Sequence, residues 1–202
     1  MSSLKANKRN CLLWDKLISE AMEVVKREPH LEDFFRKSIL GFEDIESSIS
    51  YVLADQLRQN DCNLEKTQSI IFNALISEPD IYEKILSDIN TVIDRDPACI
   101  NVYQPLLFFK GFQSLQVYRA ANYYWKIGNT ATAFYLQSRA SQVFDIDIHP
   151  AADIGRGVLM DHATGLVIGE TSRVGNGTSI LHGVTLGGTG TDNGDRHPKV
   201  GE

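Results

Sequence analysis

Over the first 147 residues, apolar positions return every three to four places. Leu13, Leu17, Ala21 and Val24 fall on one face, and Ile45, Ile49, Val52, Leu53 and Leu57 form a second stripe of the same kind. Both stripes predict amphipathic helices that bury one side against their neighbours. Pro29, Pro79, Pro97 and Pro105, with Gly41 and Gly128, punctuate the pattern into about six to eight helices. Tyr118, Tyr123, Tyr124 and Trp125 cluster at helical spacing, which suits a core or a subunit interface, with a ligand cage as the alternative.

The pattern changes near residue 147. Residues 1–147 contain only Gly41, Gly111 and Gly128, while 12 of the 15 glycines fall in 148–202. There the apolar positions recur every six residues. Ile148, Ile154 and Met160 are each followed four places on by Ala152, Val158 and Thr164. Ile168, Val174, Ile180 and Leu186 continue the interval, with Ser172, Thr178 and Val184 four places later. Neither a 3.6-residue period nor strict alternation produces this. A six-residue repeat fits a parallel β-helix, whose short strands end in tight turns and whose aliphatics fill a narrow prism. The two series are out of phase by two residues, and the slip falls at "DHATG", residues 161–165. A coil that breaks register pushes side chains off the regular wall, which is where function tends to sit. The expected class is therefore α+β: an all-helical N-terminal domain in residues 1–145, then a β-helix of hexapeptide repeats in 146–202.

Composition narrows the functional classes. A formal net charge of −6 with no Lys/Arg-rich tract argues against nucleic-acid binding. Cys11, Cys62 and Cys99 are odd in number and lack metal-ligand spacing, which reads as reduced thiols in a cytoplasmic protein. The N-terminal stretch turns amphipathic at once, without the apolar core of a signal peptide, and no apolar run is long enough to span a bilayer, so no membrane association is expected.

At the register slip stand Asp161 and His162, an ionisable pair among glycines and aliphatics. Three readings of His162 are open: a core histidine satisfied by a carbonyl, a metal ligand, or a catalytic base. His149, His162, His182 and His197 supply enough imidazoles for a metal, but no motif supports a ligand set, and none is expected. An imidazole beside a carboxylate at a break in a repeat favours the base. His149, in a turn before Pro150, reads as structural.

The segments "DIHPAADIGRGVLMDHATGLVIGET", "VTLGGTG" and "GDRHPK", with "DRDPA" and "PLLFFKGFQSLQVYR" in the helical half, resemble serine O-acetyltransferase, a hexapeptide-repeat acyltransferase. The resemblance runs from roughly residue 12 to the end of the chain. It implies a left-handed parallel β-helix, assembly as a homo-oligomer (a trimer or a dimer of trimers), and acetyl transfer from acetyl-CoA to L-serine by direct attack, without an acyl-enzyme. L-cysteine is the feedback inhibitor that the resemblance implies, and no permanently bound cofactor is expected.

The same resemblance assigns roles. His162 matches the family's general base and Asp147 the carboxylate that orients it; fifteen residues apart, the two could sit one above the other on successive coils. Serine is a zwitterion, so it asks for anions at its ammonium and a cation at its carboxylate. Asp96 and Asp161 match the ammonium side, and Arg196, with its forked guanidinium, and His197 match the carboxylate side. Taken alone, Asp96 before Pro97 is also ordinary turn chemistry. Gly187, Gly188 and Thr189 lie where the family lines the channel for the pantetheine arm.

Members of the family continue past the point matching "KVGE" with further coils and a C-terminal tail that docks into O-acetylserine sulfhydrylase. The β-helix is therefore expected to be incomplete at its C-terminal end. Residues beyond about 187 are expected to have no coil to fold back on, and little activity is expected of the 202-residue chain. Two other readings remain: an acyltransferase for a different alcohol acceptor, and an inactive assembly subunit.

Overall fold

The computed structural model describes residues 12–58, 64–188 and 193–201. Cys11, Cys62 and Thr189 lie outside these residues. Eight α-helices come first among the described residues: α1 (Leu12–Arg27), α2 (Glu32–Phe35), α3 (Ile45–Leu57), α4 (Leu64–Ser77), α5 (Pro79–Arg95), α6 (Tyr103–Phe108), α7 (Lys110–Lys126) and α8 (Thr130–Phe144). A 3₁₀ turn, Pro29–Leu31, leads into α2, and a stretch of π-helix, Arg36–Leu40, leaves it.

The punctuation works through identifiable chemistry. Asp44 caps α3 by accepting from the Ser47 N–H at 2.7 Å. Pro79 occupies the first turn of α5, where its missing N–H costs nothing. Every member of the Ile45–Leu57 stripe is buried, as are Leu17, Ala21 and Val24. Of the four aromatics singled out on α7, Tyr123 and Tyr124 pack edge to face with ring centroids 5.2 Å apart, but the four do not form one cage. Tyr118 donates to the Ala152 carbonyl on the coil at 2.5 Å, Tyr124 donates to the Ile70 carbonyl on α4 at 2.9 Å, and Trp125 meets Phe134 and His149 edge to face.

Eight short strands follow among the described residues: β1 (Ile146–Ile148), β2 (Asp153–Ile154), β3 (Leu159–Met160), β4 (Leu166–Ile168), β5 (Arg173–Val174), β6 (Ser179–Ile180), β7 (Thr185–Leu186) and β8 (Lys199–Val200). All pairing is parallel, in the orders β1-β4-β7, β2-β5-β8 and β3-β6. Successive strands thus join three different ladders, which closes the coil into the three-sided prism of a left-handed parallel β-helix.

Register explains the broken repeat. Ile168 faces Leu186, eighteen residues on, as three hexapeptides require. Ile146 faces Leu166, twenty residues on, so the first coil carries two extra residues at 161–165. Arg173 faces Lys199, twenty-six residues on, so this rung exceeds three hexapeptides by eight residues.

The inward aliphatics of both series are buried, and so are Ala152, Val158 and Ser172. Thr164 departs from the expected inward series: it is exposed, and Ala163 at 0% exposure fills the corner instead, because the two extra residues shift the inward position. The segment past 187 also departs from expectation where it is described. β8 pairs with β5, and Arg173 donates to the Pro198 carbonyl at 3.2 Å, so residues 193–201 do fold back on a coil.

One apolar core runs through both halves, from Leu17 to Leu186. Helix α7 makes the closest approach: a Cβ at Gly111 would collide with the Met160 carbonyl, so only glycine lets the helix touch β3 there. Asn122 donates to the Pro150 carbonyl at 2.7 Å further along the same face. Among the described residues no helix is long and apolar enough to cross a membrane.

Candidate active site

The two extra residues of the first coil create a strained corner. His162 and Ala163 both adopt positive φ, at 54° and 55°, although neither is glycine. Each such residue costs about 1–3 kcal/mol, so the surroundings must impose it. They do so from both sides. Asp161 N–H donates to Ile180 O at 2.8 Å above, and Gly165 N–H to Asp145 O at 2.8 Å below. Ala163 N–H also bonds back to Asp161 O at 2.5 Å, and its methyl is fully buried. With Ala163 locked inside, His162 is thrown outward, its side chain 77% exposed. That answers the first of the three readings: His162 is not a core histidine.

The exposed imidazole stands at a cavity of about 250 Å³ between the coil and the helices. Asp96, Asp161 and His162 all line it, with Phe108, Phe109, Lys110, Gly111 and Met160 among the walls. Two carboxylates from distant parts of the chain and one imidazole therefore share a single space. The Asp161 carboxylate lies 3.7 Å from His162 Nε2, beside the imidazole but too far for a hydrogen bond. His182, one coil above on the same corner, has its ring centroid 6.3 Å from that of His162.

Asp147 is not on His162 in this structure. It lies mid-strand on β1, opposite Val167, and its Oδ1 accepts from Gln137 Nε2 at 2.7 Å. Fifteen residues of separation do not stack the two, because it is the twenty-residue rung that sets which residues lie above one another.

Arg196 and His197 form a second cluster, at the other end of β4. Both backbone N–H groups donate to Thr171 Oγ1 at 3.1 Å. The Thr171 N–H points at His197 Nδ1 at 3.2 Å, which makes that nitrogen the acceptor and leaves the proton on Nε2. Arg196 Nη2 donates to Glu170 Oε2 at 2.8 Å, and this bond holds the Glu170 carboxyl below its ordinary value. Lys199 closes the turn by donating to the Thr171 and His197 carbonyls, both at 2.7 Å, and to the Asp195 carboxylate.

Gly169 and Gly188 flank this cluster. A Cβ at Gly169 would run into the His197 ring, and one at Gly188 would sit 3.1 Å from Arg196 Cγ. A Cβ on Gly187 would meet Thr185 Cγ2 at 3.0 Å. Thr189 lies outside the described residues. His149 packs edge to face on Trp125 and Phe134, with ring centroids 5.2 and 5.6 Å away, and its Nδ1 accepts from the Ala151 N–H at 3.1 Å. Half-burial there pulls its pKa down. Among the described residues no group of three or more His, Cys, Asp or Glu is placed to hold a metal.

Within one chain, then, Asp96, Asp161 and His162 come together, while Arg196 and His197 stand apart by the length of one prism face. That is roughly 15–20 Å at ~3.3 Å per extended residue. Glu170, Thr171 and Lys199, which hold the second cluster, were not singled out from the sequence. The signal for two of them was there: in register with "IHPAA" of the first coil, the second reads "IGETS", with polar Glu170 and Thr171 where Pro150 and Ala151 stand.

Comparison with known proteins bears directly on this arrangement. Residues 13–117 match the family described as serine acetyltransferase, N-terminal. Serine acetyltransferase 2 of Arabidopsis thaliana is 45% identical over 190 residues, which cover 94% of this chain and 59% of that protein. Two solved structures superpose closely. The serine acetyltransferase of Brucella abortus strain S19 in complex with coenzyme A is 42% identical with a TM-score of 0.90, over 93% of this chain and 75% of that one. The soybean serine acetyltransferase complexed with serine is 41% identical with a TM-score of 0.89, over 93% and 77%. A fold match and a sequence match both run through the helices and the strained corner alike, and on that ground the chain belongs to the serine acetyltransferase family.

Proposed function

We propose that this chain carries the chemistry of a serine O-acetyltransferase, moving the acetyl group of acetyl-CoA to the hydroxyl of L-serine to give O-acetylserine and CoA. The observation that carries the reading is the shared cavity of Asp96, Asp161 and His162 at a strained corner. Relatives named for this reaction, one solved with coenzyme A and one with serine, support the choice of both substrates.

His162 takes the hydroxyl proton as the serine oxygen attacks the thioester carbonyl. The C–S bond then breaks, and the imidazolium returns the proton to the departing thiolate. Asp147 matches the family's orienting carboxylate, and to take that role it must leave Gln137 and come within reach of the imidazole. Asp96 and Asp161 receive the substrate ammonium; Arg196 and His197 take the carboxylate. Gly187 and Gly188 line the pantetheine path.

Because the two clusters stand a prism face apart, a complete site needs the first cluster of one copy and the second cluster of another. A cyclic homo-oligomer, a trimer or a pair of trimers, supplies that pairing at every interface. Residues 1–145 serve as the assembly domain and 146–202 as the acyltransferase domain. L-cysteine, with the same ammonium and carboxylate, competes for the serine site. The setting is cytoplasmic cysteine synthesis, with O-acetylserine sulfhydrylase as the partner of forms that carry the family's C-terminal tail. Serine-dependent release of free thiol from acetyl-CoA tests the reading. Release that proceeds equally well with a simple alcohol in place of serine would refute it.

A further inference from the structure

Arg95 ends α5, yet its guanidinium belongs to the β-helix. Nη1 donates to the Gly177 carbonyl at 2.5 Å and to Ser179 Oγ at 3.1 Å, both on the second coil. The body of α5 is fastened one coil lower. Asp88 accepts from the Val158 N–H at 3.0 Å, and a Cβ at Gly157 would lie 3.0 Å from both Ser87 Oγ and Thr91 Oγ1. Since Leu159 pairs with Ser179, Gly157 and Gly177 mark the same corner of successive coils. Helix α5 therefore runs up the stack with two fastenings, and Arg95 is the upper one.

The next residue is Asp96. Its N–H closes the helix on Val92 O at 2.9 Å, its carbonyl accepts from Cys99 N–H at 2.9 Å, and Oδ1 accepts from Ala98 N–H at 2.9 Å. Only one carboxylate oxygen is thereby used, and the residue faces the cavity that holds Asp161 and His162. Asp161 is itself tied to the second coil, through its N–H to Ile180 O at 2.8 Å. Ser179 and Ile180 are the two residues of β6. The end of α5 and the catalytic corner are thus referenced to one strand.

We propose that Arg95 is a positioning residue: by fastening the end of α5 to β6, it sets the separation of the Asp96 and Asp161 carboxylates and with it the grip on an amino-acid ammonium. The ammonium part rests on the serine reading above; the fastening does not. Arg95 is exposed and outside the cavity lining, so its loss should leave the fold intact.

Arg95→Met and Arg95→Lys in the full chain test this. In Arg95→Met, amide exchange at Ala98 and Cys99 should speed up while that at Asp161 and Ala163 holds. The KM for serine should rise about 5–20-fold, with the KM for acetyl-CoA and kcat at saturating serine within about twofold, as expected when a binding group is misplaced but the base is not. Arg95→Lys should recover part of the loss. Unchanged exchange at Ala98 and Cys99 would overturn the fastening whether or not the chain is active. A fall in kcat, or an equal rise in both KM values, would overturn the role in ammonium grip. If the wild-type chain neither binds serine nor releases thiol with it, the functional reading fails, and the exchange measurement still decides the fastening.

Discussion

Arg119 grips Asp88 in the interior, with Nε at 2.9 Å and Nη2 at 2.6 Å from the same carboxylate oxygen and both side chains at 2% exposure or less. The pair is not isolated. Asp88 also accepts from Gln116 Nε2 at 3.2 Å and from the Val158 N–H, while Arg119 donates to the Gly155 carbonyl at 2.9 Å. Burial raises the Asp88 carboxyl above its ordinary value, opposed by Arg119 and by the bonds from Val158 and Gln116; four N–H bonds are aimed at this one group. Helices α5 and α7 and the first coil thus meet at one buried charge pair. Removing one partner strands the other, so Asp88→Asn and Arg119→Met should each destabilise by about 3–5 kcal/mol in urea unfolding. The double variant Asp88→Asn/Arg119→Met should cost less than the sum of the singles. Additive losses would show that the two residues act independently.

Gly111 offers a sharper steric test. In an open helix Gly→Ala gains about 1 kcal/mol. Here the methyl meets backbone, the Met160 carbonyl, rather than a flexible side chain. Gly111→Ala should therefore destabilise, and by moving Met160 it should shift the adjacent Asp161 and His162. The expected signature is a lower thermal midpoint together with reduced kcat; a midpoint at or above that of the wild type would remove the close approach as a constraint.

His149 predicts a pH dependence. Half-burial against Trp125 and Phe134 disfavours its imidazolium, and a protonated Nδ1 could no longer accept from Ala151. Its folded pKa lies below the ordinary 6.5, so the unfolded chain binds this proton first. The contribution is fully present above pH 6.5 and is lost as pH falls below it. Thermal midpoints followed from pH 7.5 downward should drop, and the His149→Gln variant should show a shallower fall. Equal slopes in the two proteins would exclude His149 as the source.

Much of this molecule was legible in the residues themselves. The stripe Ile45–Leu57 named a buried helix face because a 3.6-residue period leaves few alternatives, and the six-residue interval named the prism. The two-residue slip located the strained corner because inward aliphatics cannot tolerate an uncorrected phase change. What could not be read was geometry across the rungs. The excess of two residues in the first coil puts Val167, rather than the corner, above Asp147, and it turns Thr164 outward in favour of Ala163. The anchoring of Arg196 on Glu170 and Thr171 depends on a coil paired 26 residues later, a separation no local pattern announces.

Arg196 donates to Glu170 through Nη2 at 2.8 Å and to the Gly194 carbonyl through Nη1 at a long 3.4 Å, a contact that a ligand carboxylate would replace. Lysine at that position would keep the charge and lose the second prong. Arg196→Lys should weaken serine binding by about 1–3 kcal/mol, the scale of a charge-assisted hydrogen bond, and should weaken cysteine inhibition in parallel. Calorimetric titration with each amino acid checks both. Loss of serine binding with cysteine binding intact would separate the two sites.

The separation of the two clusters gives a test that no single variant provides. His162→Ala should lower turnover by about 10²–10⁴, the usual worth of a positioned base, and Arg196→Ala should be similarly impaired through substrate binding. If each site pairs His162 of one copy with Arg196 of the next, mixed assembly of the two inactive chains restores some sites. With equal amounts and random order around a ring, about one quarter of sites receive both intact residues. Co-refolding the variants and measuring serine-dependent thiol release should therefore recover about a quarter of wild-type activity, whereas mixing preassembled variants recovers none. A site completed within one chain predicts no recovery under either protocol, because every chain would carry one of the two defects.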